Sequence, residues 1–318
     1  MKKTNQFNIY LTFLKSGITV FFCVFLSYAS SAQHAHDTIS YIQTVDIKTG
    51  KIDTVMGVKG RYEAPNWHRD NFLVVNFDGK IYRLDLADKK LTEINTGSVN
   101  QIMDDHGLSA DGKWIAITNY DRNDPSPKLY KFCIYIVPVG GGEPKKVTSE
   151  VPAFWHGWSP DGKTITYCGG DIGNLDVYTL PVEGGPAKRL TDAAGLDDGP
   201  DYSTDGRYIY FHSYRSGRMQ IWRMGADGSQ QEQMTFDENA NWFPHPSPNN
   251  KWVAYIAYTK DEKQNHPFGK NVKLRLMDPK TKVVKDITPV FYGGAGTINT
   301  PSWSPDSRKV AFVSYSVD

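Results

Sequence analysis

One short pattern recurs six times and limits what this chain can fold into. The segments Asn66-Trp67-His68-Arg69-Asp70-Asn71, Gly107-Leu108-Ser109-Ala110-Asp111-Gly112 and Gly157-Trp158-Ser159-Pro160-Asp161-Gly162 superimpose. So do Asp201-Tyr202-Ser203-Thr204-Asp205-Gly206, His245-Pro246-Ser247-Pro248-Asn249-Asn250 and Ser302-Trp303-Ser304-Pro305-Asp306-Ser307. Each places an aromatic or apolar residue before a Ser-Pro-Asp-Gly-like turn. In such a turn Pro presets φ, Asp bonds the backbone ahead of it and Gly accepts positive φ. A β-rich run follows every turn: Phe72–Val75, Trp114–Thr118, Ile165–Tyr167, Tyr208–Phe211, Trp252–Ile256 and Val310–Val313. The turn residues Asp70, Asp111, Asp161, Asp205, Asn249 and Asp306 are 41, 50, 44, 44 and 57 positions apart. Short strands at this interval, with no long helical periodicity, predict an all-β repeat of about 44 residues per unit.

The ends of the chain predict how the repeats close. The last copy stops at Asp318 after two strands, while Ile42–Val55 matches the missing half of a repeat, aligning with Ile81–Ile94 and Ile134–Val147. The N-terminal strands are therefore expected to complete the C-terminal blade, giving a six-bladed β-propeller without free inner edges. No composition shift or linker divides the chain, so residues 33–318 read as a single domain.

The repeat resembles that of the TolB-like propeller family with its WD40-like PD40 repeats. Trp158–Gly162, Val177-Tyr178, Gly184-Gly185 and Leu190-Thr191 carry the resemblance most clearly, and it covers nearly all of residues 38–318. It implies the six-bladed fold and says little about function, because related repeats serve peptidases and polysaccharide lyases. TolB proteins carry an N-terminal α/β domain before the propeller, and none is expected here. WD40 repeats fit less well, since no Trp-Asp dipeptide occurs.

Lys2 and Lys3, an apolar stretch from Gly17 to Tyr28 and the small residues Ser30-Ser31-Ala32 read as a secretory signal peptide over residues 1–32. The stretch is short for a spanning helix, and Phe21-Phe22 before Cys23 makes a poor lipoprotein site. A periplasmic or secreted protein without a transmembrane anchor is expected. Removing Lys2, Lys3 and Lys15 turns the net charge of +1 into 1 − 3 = −2. Such a chain, with no basic block, does not suit nucleic acid or an anionic membrane surface. Cys133 and Cys168 remain, as one disulfide or as two buried thiols. A monomer is expected.

Functional groups are expected at the mouth of the central channel, where the loops entering each innermost strand gather. These loops carry Glu63, Asp104, Asp105, His106, Trp155, His156, Asp197, Asp198, Asn241, Trp242, His245 and Asn299. Where other repeats place Pro65, Pro200, Pro244 and Pro301 before the turn, two blades substitute His106 and His156. The long repeat intervals reflect insertions near 119–131 and 258–272, both expected to overhang this mouth. The second carries His266, and the equivalent short loop of the fourth blade carries Arg215.

Three readings of this rim stand side by side. The first is binding of a ligand, a glycan or an envelope protein, with Trp155 and Trp242 as stacking platforms. The second is a metal-assisted carbohydrate-active enzyme, similar to the oligogalacturonate lyase propellers. There His106, His156 and His245, with His266 or Asp198, would hold a divalent ion such as Zn, Mn or Ca. The third is structural capping of loop backbone. His245 sits one position later than the other two histidines, so strand alternation would turn it away unless a bulge redirects it. His212 reads as a strand-end residue, and His34 and His36 as part of the mature N-terminus. No Gly-x-Ser-x-Gly elbow or phosphate-binding loop is present, which disfavours serine hydrolysis and nucleotide binding.

Overall fold

The structure, a computed structural model, describes residues 38–317. The expected signal peptide, His34 and His36 lie outside the described residues. No helix occurs among the described residues, and none is long and apolar enough to cross a membrane.

Six antiparallel sheets form the blades of a propeller. Blade 1 is β3 (Glu63–Trp67), β4 (Phe72–Phe77), β5 (Lys80–Asp85) and β6 (Leu91–Ile94). Blade 2 is β7 (Ile102–Leu108), β8 (Trp114–Tyr120), β9 (Phe132–Pro138) and β10 (Lys145–Lys146). Blade 3 is β11 (Ala153–Trp158), β12 (Thr164–Asp171), β13 (Asn174–Pro181) and β14 (Lys188–Arg189). Blade 4 is β15 (Asp197–Tyr202), β16 (Tyr208–Ser213), β17 (Gln220–Gly225) and β18 (Glu232–Gln233). Blade 5 is β19 (Ala240–Pro246), β20 (Val253–Tyr258), β21 (Lys270–Met277) and β22 (Val284–Asp286), with β23 (Phe291–Gly293) also paired to β21. Blade 6 closes as expected. The innermost element is a bridge from Trp303 to Val310, followed by β24 (Lys309–Val317), β1 (Thr38–Asp46) and β2 (Ile52–Lys59). β1 pairs with β24 along its whole length, from Thr38 opposite Val317 to Asp46 opposite Lys309.

The recurring turn folds the same way in five blades because one small network satisfies it. Ser109, Ser159, Ser203 and Ser304 donate their hydroxyls to Asp111, Asp161, Asp205 and Asp306 at 2.6–2.7 Å, and Ser247 to Asn249 at 2.8 Å. In blade 1 His68 replaces the serine, and its Nδ1 accepts the Asp70 N–H at 3.0 Å. The apolar clusters lie between blades: Phe72, Val74 and Ile81 of blade 1 pack with Ile102, Ile115 and Ile117 of blade 2. Each such side chain contributes roughly 1.5–3 kcal/mol by burial. Tryptophans add polar ties across the same seams, Trp158 Nε1 donating to Gly107 O and Trp303 Nε1 to His245 O. Cys133 and Cys168 are both buried free thiols, so no disulfide joins them.

Candidate functional site

Every full innermost strand is interrupted at the same end. The pairing register breaks between Glu63 and Asn66, Ile102 and His106, Trp155 and Gly157, Asp198 and Asp201, and Trp242 and His245. A bulge re-aims the side chains beside it. Three of these bulges hold a residue with left-handed backbone before a proline: Ala64 (φ 53), Gly199 (φ 61) and Phe243 (φ 52). For Ala64 and Phe243 this costs on the order of 1–3 kcal/mol each, a strain that tends to persist at functional sites. Glycine is required at 199, where an added Cβ would lie 2.6 Å from the His212 ring.

The bulges bring His156 and Asp198 together behind the rim. His156 Nε2 lies 2.8 Å from Asp198 Oδ1, and Cys168 Sγ approaches the same nitrogen at 3.6 Å. His212, opposite Asp198 in the β15–β16 register, lies 3.5 Å from the second carboxylate oxygen. The Phe243 N–H donates to His212 Nδ1 at 3.1 Å, which puts the His212 proton on Nε2, toward Asp198. Burial alone would raise the Asp198 carboxyl, but the His156 charge and the hydrogen bonds from both histidines hold it well below its usual range. Burial likewise opposes the His156 charge, yet Asp198 and Asp105 raise this imidazole to about 9. His212 is pushed down to about 4, chiefly by burial, so it stays neutral.

A second group of charges sits around this pair. Arg61 meets Glu63 at 2.6 Å, and Asn76 donates to the other Glu63 oxygen at 3.4 Å. Burial, opposed by Arg61, raises Glu63 to about 7. Asp105 is raised well above its ordinary value by burial, with Asp104, Asp198 and Glu63 adding repulsion that His156 only partly offsets. Asn299 donates to Asp104 at 2.8 Å and accepts the Gly296 N–H at 2.9 Å. The insertion after β20 roofs this end of the channel. Gln264 accepts the Leu196 N–H of blade 4, His266 packs on Trp242 and Phe243, and Phe268 packs on Tyr315 of blade 6 and under Arg61. The buried polar atoms without a hydrogen-bond partner among the described residues include Asn76 Oδ1, His156 Nδ1 and His266 Nδ1.

Glu63, Asp104, Asp105, His156, Asp198, His266 and Asn299 thus lie near one another at this end of the channel, with Asp105, His156, Asp198 and Asn299 themselves buried. Other expected residues go elsewhere. His106, His156 and His245 do not converge as a ligand set. His106 is fully buried with Nε2 3.5 Å from Val74 O, and burial lowers it to about 4. The bulge does redirect His245, but toward Asp201 (3.1 Å) and the Ile298 carbonyl (3.0 Å), where it ties three blades together. Trp155 and Trp242 are not stacking platforms: they are 1% and 0% exposed. Trp155 fills the space beside Gly107, where a Cβ would lie 2.1 Å from its ring. Asp197 is paired within blade 4 with Arg215, whose guanidinium also holds Gln231, and Asn241 of blade 5 bonds Gln220 and Thr235 of blade 4, a tie between blades. In the first insertion Asp121 and Asp124 turn to Lys146 of β10, and Tyr120, Leu129 and Tyr130 line a groove of about 510 Å³ together with Asp78, Gln101 and Met103.

Arg61 and Phe243 are not singled out in the sequence, while Cys168 reads there as a disulfide partner or buried thiol and His212 as a strand-end residue. Cys168 and His212 lie on second strands, where a repeat-by-repeat view of the first-strand loops does not look. The cross-strand register that sets His212 opposite Asp198 was the available signal.

Fold and site together define an all-β propeller with a polar, partly sealed channel mouth. Residues 108–292 match the TolB beta propeller domain, and the chain belongs to this TolB-like propeller family. A protein of uncharacterized function from Agrobacterium fabrum is 42% identical over 278 residues, covering 87% of this chain and 92% of its own. The solved structure of a TolB-like protein from Agrobacterium tumefaciens aligns with TM-score 0.82 and 40% identity, over 88% of this chain and 99% of that one. TolB from Acinetobacter baumannii aligns with TM-score 0.61 at 18% identity, over 85% and 68% of the two chains, a likeness of fold alone.

Proposed function

We propose that this protein is an exported propeller that holds a polar ligand at the mouth of its channel, with glycans as the matching class. The observation that carries the reading is convergence. Glu63 of blade 1, Asp104 and Asp105 of blade 2, His156 of blade 3, Asp198 of blade 4, His266 of blade 5 and Asn299 of blade 6 meet at one end. Carboxyls, amides and imidazoles in alternation suit hydroxyl groups, which donate and accept together. With Trp155 and Trp242 buried, recognition rests on hydrogen bonds rather than ring stacking.

Binding is tested by a glycan array followed by calorimetry on wild type and on Glu63→Gln with Asp104→Asn. Loss of at least tenfold in affinity in a folded variant supports the reading; glycan binding that ignores both changes, or none in wild type, overturns it. The enzymatic alternative has one observation in its favour: Glu63, at about 7 beside Arg61, is poised for proton transfer near neutrality. Unsaturated products from uronic-acid oligosaccharides, formed by wild type and not by Glu63→Gln, would establish it. For export, mass spectrometry of the secreted chain should find Gln33 at the N-terminus.

A further inference from the structure

The His156–Cys168–Asp198 centre has a geometry that ligand binding at the rim leaves unexplained. His156 Nε2 is 2.8 Å from Asp198 Oδ1 and 3.6 Å from Cys168 Sγ, and the three ligand atoms all lie within 4.8 Å of one another. Sulfur and carboxylate therefore meet the same ring nitrogen. A nucleophilic triad needs them on opposite nitrogens, so that the ring takes the thiol proton while the carboxylate orients it. Burial also holds the Cys168 thiol well above its ordinary value, the reverse of an activated nucleophile. One nitrogen, one sulfur and one oxygen directed at a common point form instead the donor set of a borderline-soft cation.

We propose that His156 Nε2, Cys168 Sγ and Asp198 Oδ1 bind a single zinc-class divalent ion, leaving its fourth position for water or a ligand group. Ligands at zinc distances and a tetrahedral angle stand about 3.4–3.6 Å apart. The nitrogen–sulfur edge of 3.6 Å already fits, and the nitrogen–oxygen edge of 2.8 Å has to open when the ion replaces the intervening proton. Binding releases the Nε2 proton and the thiol proton to solvent. The thiolate selects zinc over manganese or calcium, which prefer oxygen.

The ligands come from β11, β12 and β15 of two adjacent blades, all buried. His212 is not a fourth ligand. Its Nδ1 accepts the Phe243 N–H, so its Nε2–H faces the second Asp198 oxygen and orients the carboxylate, as partners beyond the ligand shell do. The other cysteine–carboxylate group, Asp121, Asp124 and Cys133, carries no such site, because Lys146 Nζ already lies 3.2 and 2.8 Å from its carboxylates. The proposal does not require that a glycan bind at the rim, and its test contains no saccharide.

The full chain is stripped with chelator, titrated with zinc or cobalt(II), and passed through gel filtration. One equivalent of zinc per chain is expected, with a thiolate-to-cobalt charge-transfer band in the near ultraviolet. Cys168→Ser should abolish the band and weaken zinc at least tenfold, Asp198→Asn should weaken it likewise, and Cys133→Ser should change neither. X-ray absorption on the wild-type zinc protein should count one sulfur in the shell, a reading that stands even where a variant fails to fold. Failure of the folded wild type to retain zinc, a band that survives Cys168→Ser or needs Cys133, or a shell without sulfur would each overturn the proposal.

Discussion

Asp121, Asp124 and Cys133 on blade 2 use much the same donors as His156, Cys168 and Asp198 on blades 3 and 4, yet the two groups are neutralised differently. In the first, Lys146 supplies the positive charge and stays charged. Burial works against it, but Asp124, Cys133 and Asp121 raise the ammonium above its ordinary value. In the second, the cation is the His156 imidazolium, which lies 3% exposed against 33% for Lys146. A lysine fills its acidic niche at every physiological pH. An imidazole can give up its proton, so the second niche can exchange that charge for another. The chain thus closes one acidic cluster with its own side chain and leaves the other open to substitution.

The contrast is sharpest in the cost of breaking each pair. Asp198→Asn leaves His156 buried without its counter-charge and should destabilise by about 3–5 kcal/mol in urea unfolding. A cost below about 1 kcal/mol, the range of exposed pairs, would erase the distinction between the two clusters.

A second test uses pH. The His156 imidazole is raised from 6.5 to about 9, so the folded state binds its proton more tightly than the unfolded chain does. Its stabilisation is therefore present in full below pH 6.5 and is lost as the pH rises through 9. Unfolding free energies should fall across that window in wild type and stay flatter in Asp198→Asn. Lys146→Met should keep the wild-type slope; a slope that vanished with Lys146 would assign the titration to the wrong cluster.

The smallest effect is expected for Lys146→Met itself. Its niche is partly solvated, so the loss should be about 1–2 kcal/mol by the same urea measurement. A larger loss than that of Asp198→Asn would reverse the comparison.

The fold was legible because its signal is local and repeated. Each Ser–Asp turn is specified within six residues, and the truncated last repeat together with the half-repeat at Ile42–Val55 announced the closure. The rim was legible as a list of residues entering the innermost strands, and Glu63, Asp105, His156 and Asp198 came from that list. Their partners were not, for two physical reasons. A bulge breaks the period-two rule that assigns each strand residue to a face, so the outcome for His245 depends on geometry that spacing does not encode. Burial of Trp155 and Trp242 depends on what the neighbouring blade places against them, as Gly107 does for Trp155. Cys168 and His212 contribute through cross-strand register, a relation between distant positions that a scan of loops does not see.

The seam between β1 and β24 also has a kinetic consequence. Blades 1 to 5 assemble from successive hairpins, whose contacts are short-range and form early. The pairing of Thr38 with Val317 joins the two ends of the described chain, so its loop-closure entropy is the greatest any pair in the ring has to overcome. During synthesis β1 emerges first and waits through five blades for its partner. Sealing is then the last event of folding, and the waiting strand is the species most exposed to mispairing with a second chain. A circular permutant that joins Val317 to Thr38 through a tight turn and opens the chain between β2 and β3 would make this pairing a hairpin. Refolding of that permutant should lose its slowest phase in stopped-flow fluorescence, while the ring, now held at the new opening by side-chain packing alone, should unfold sooner.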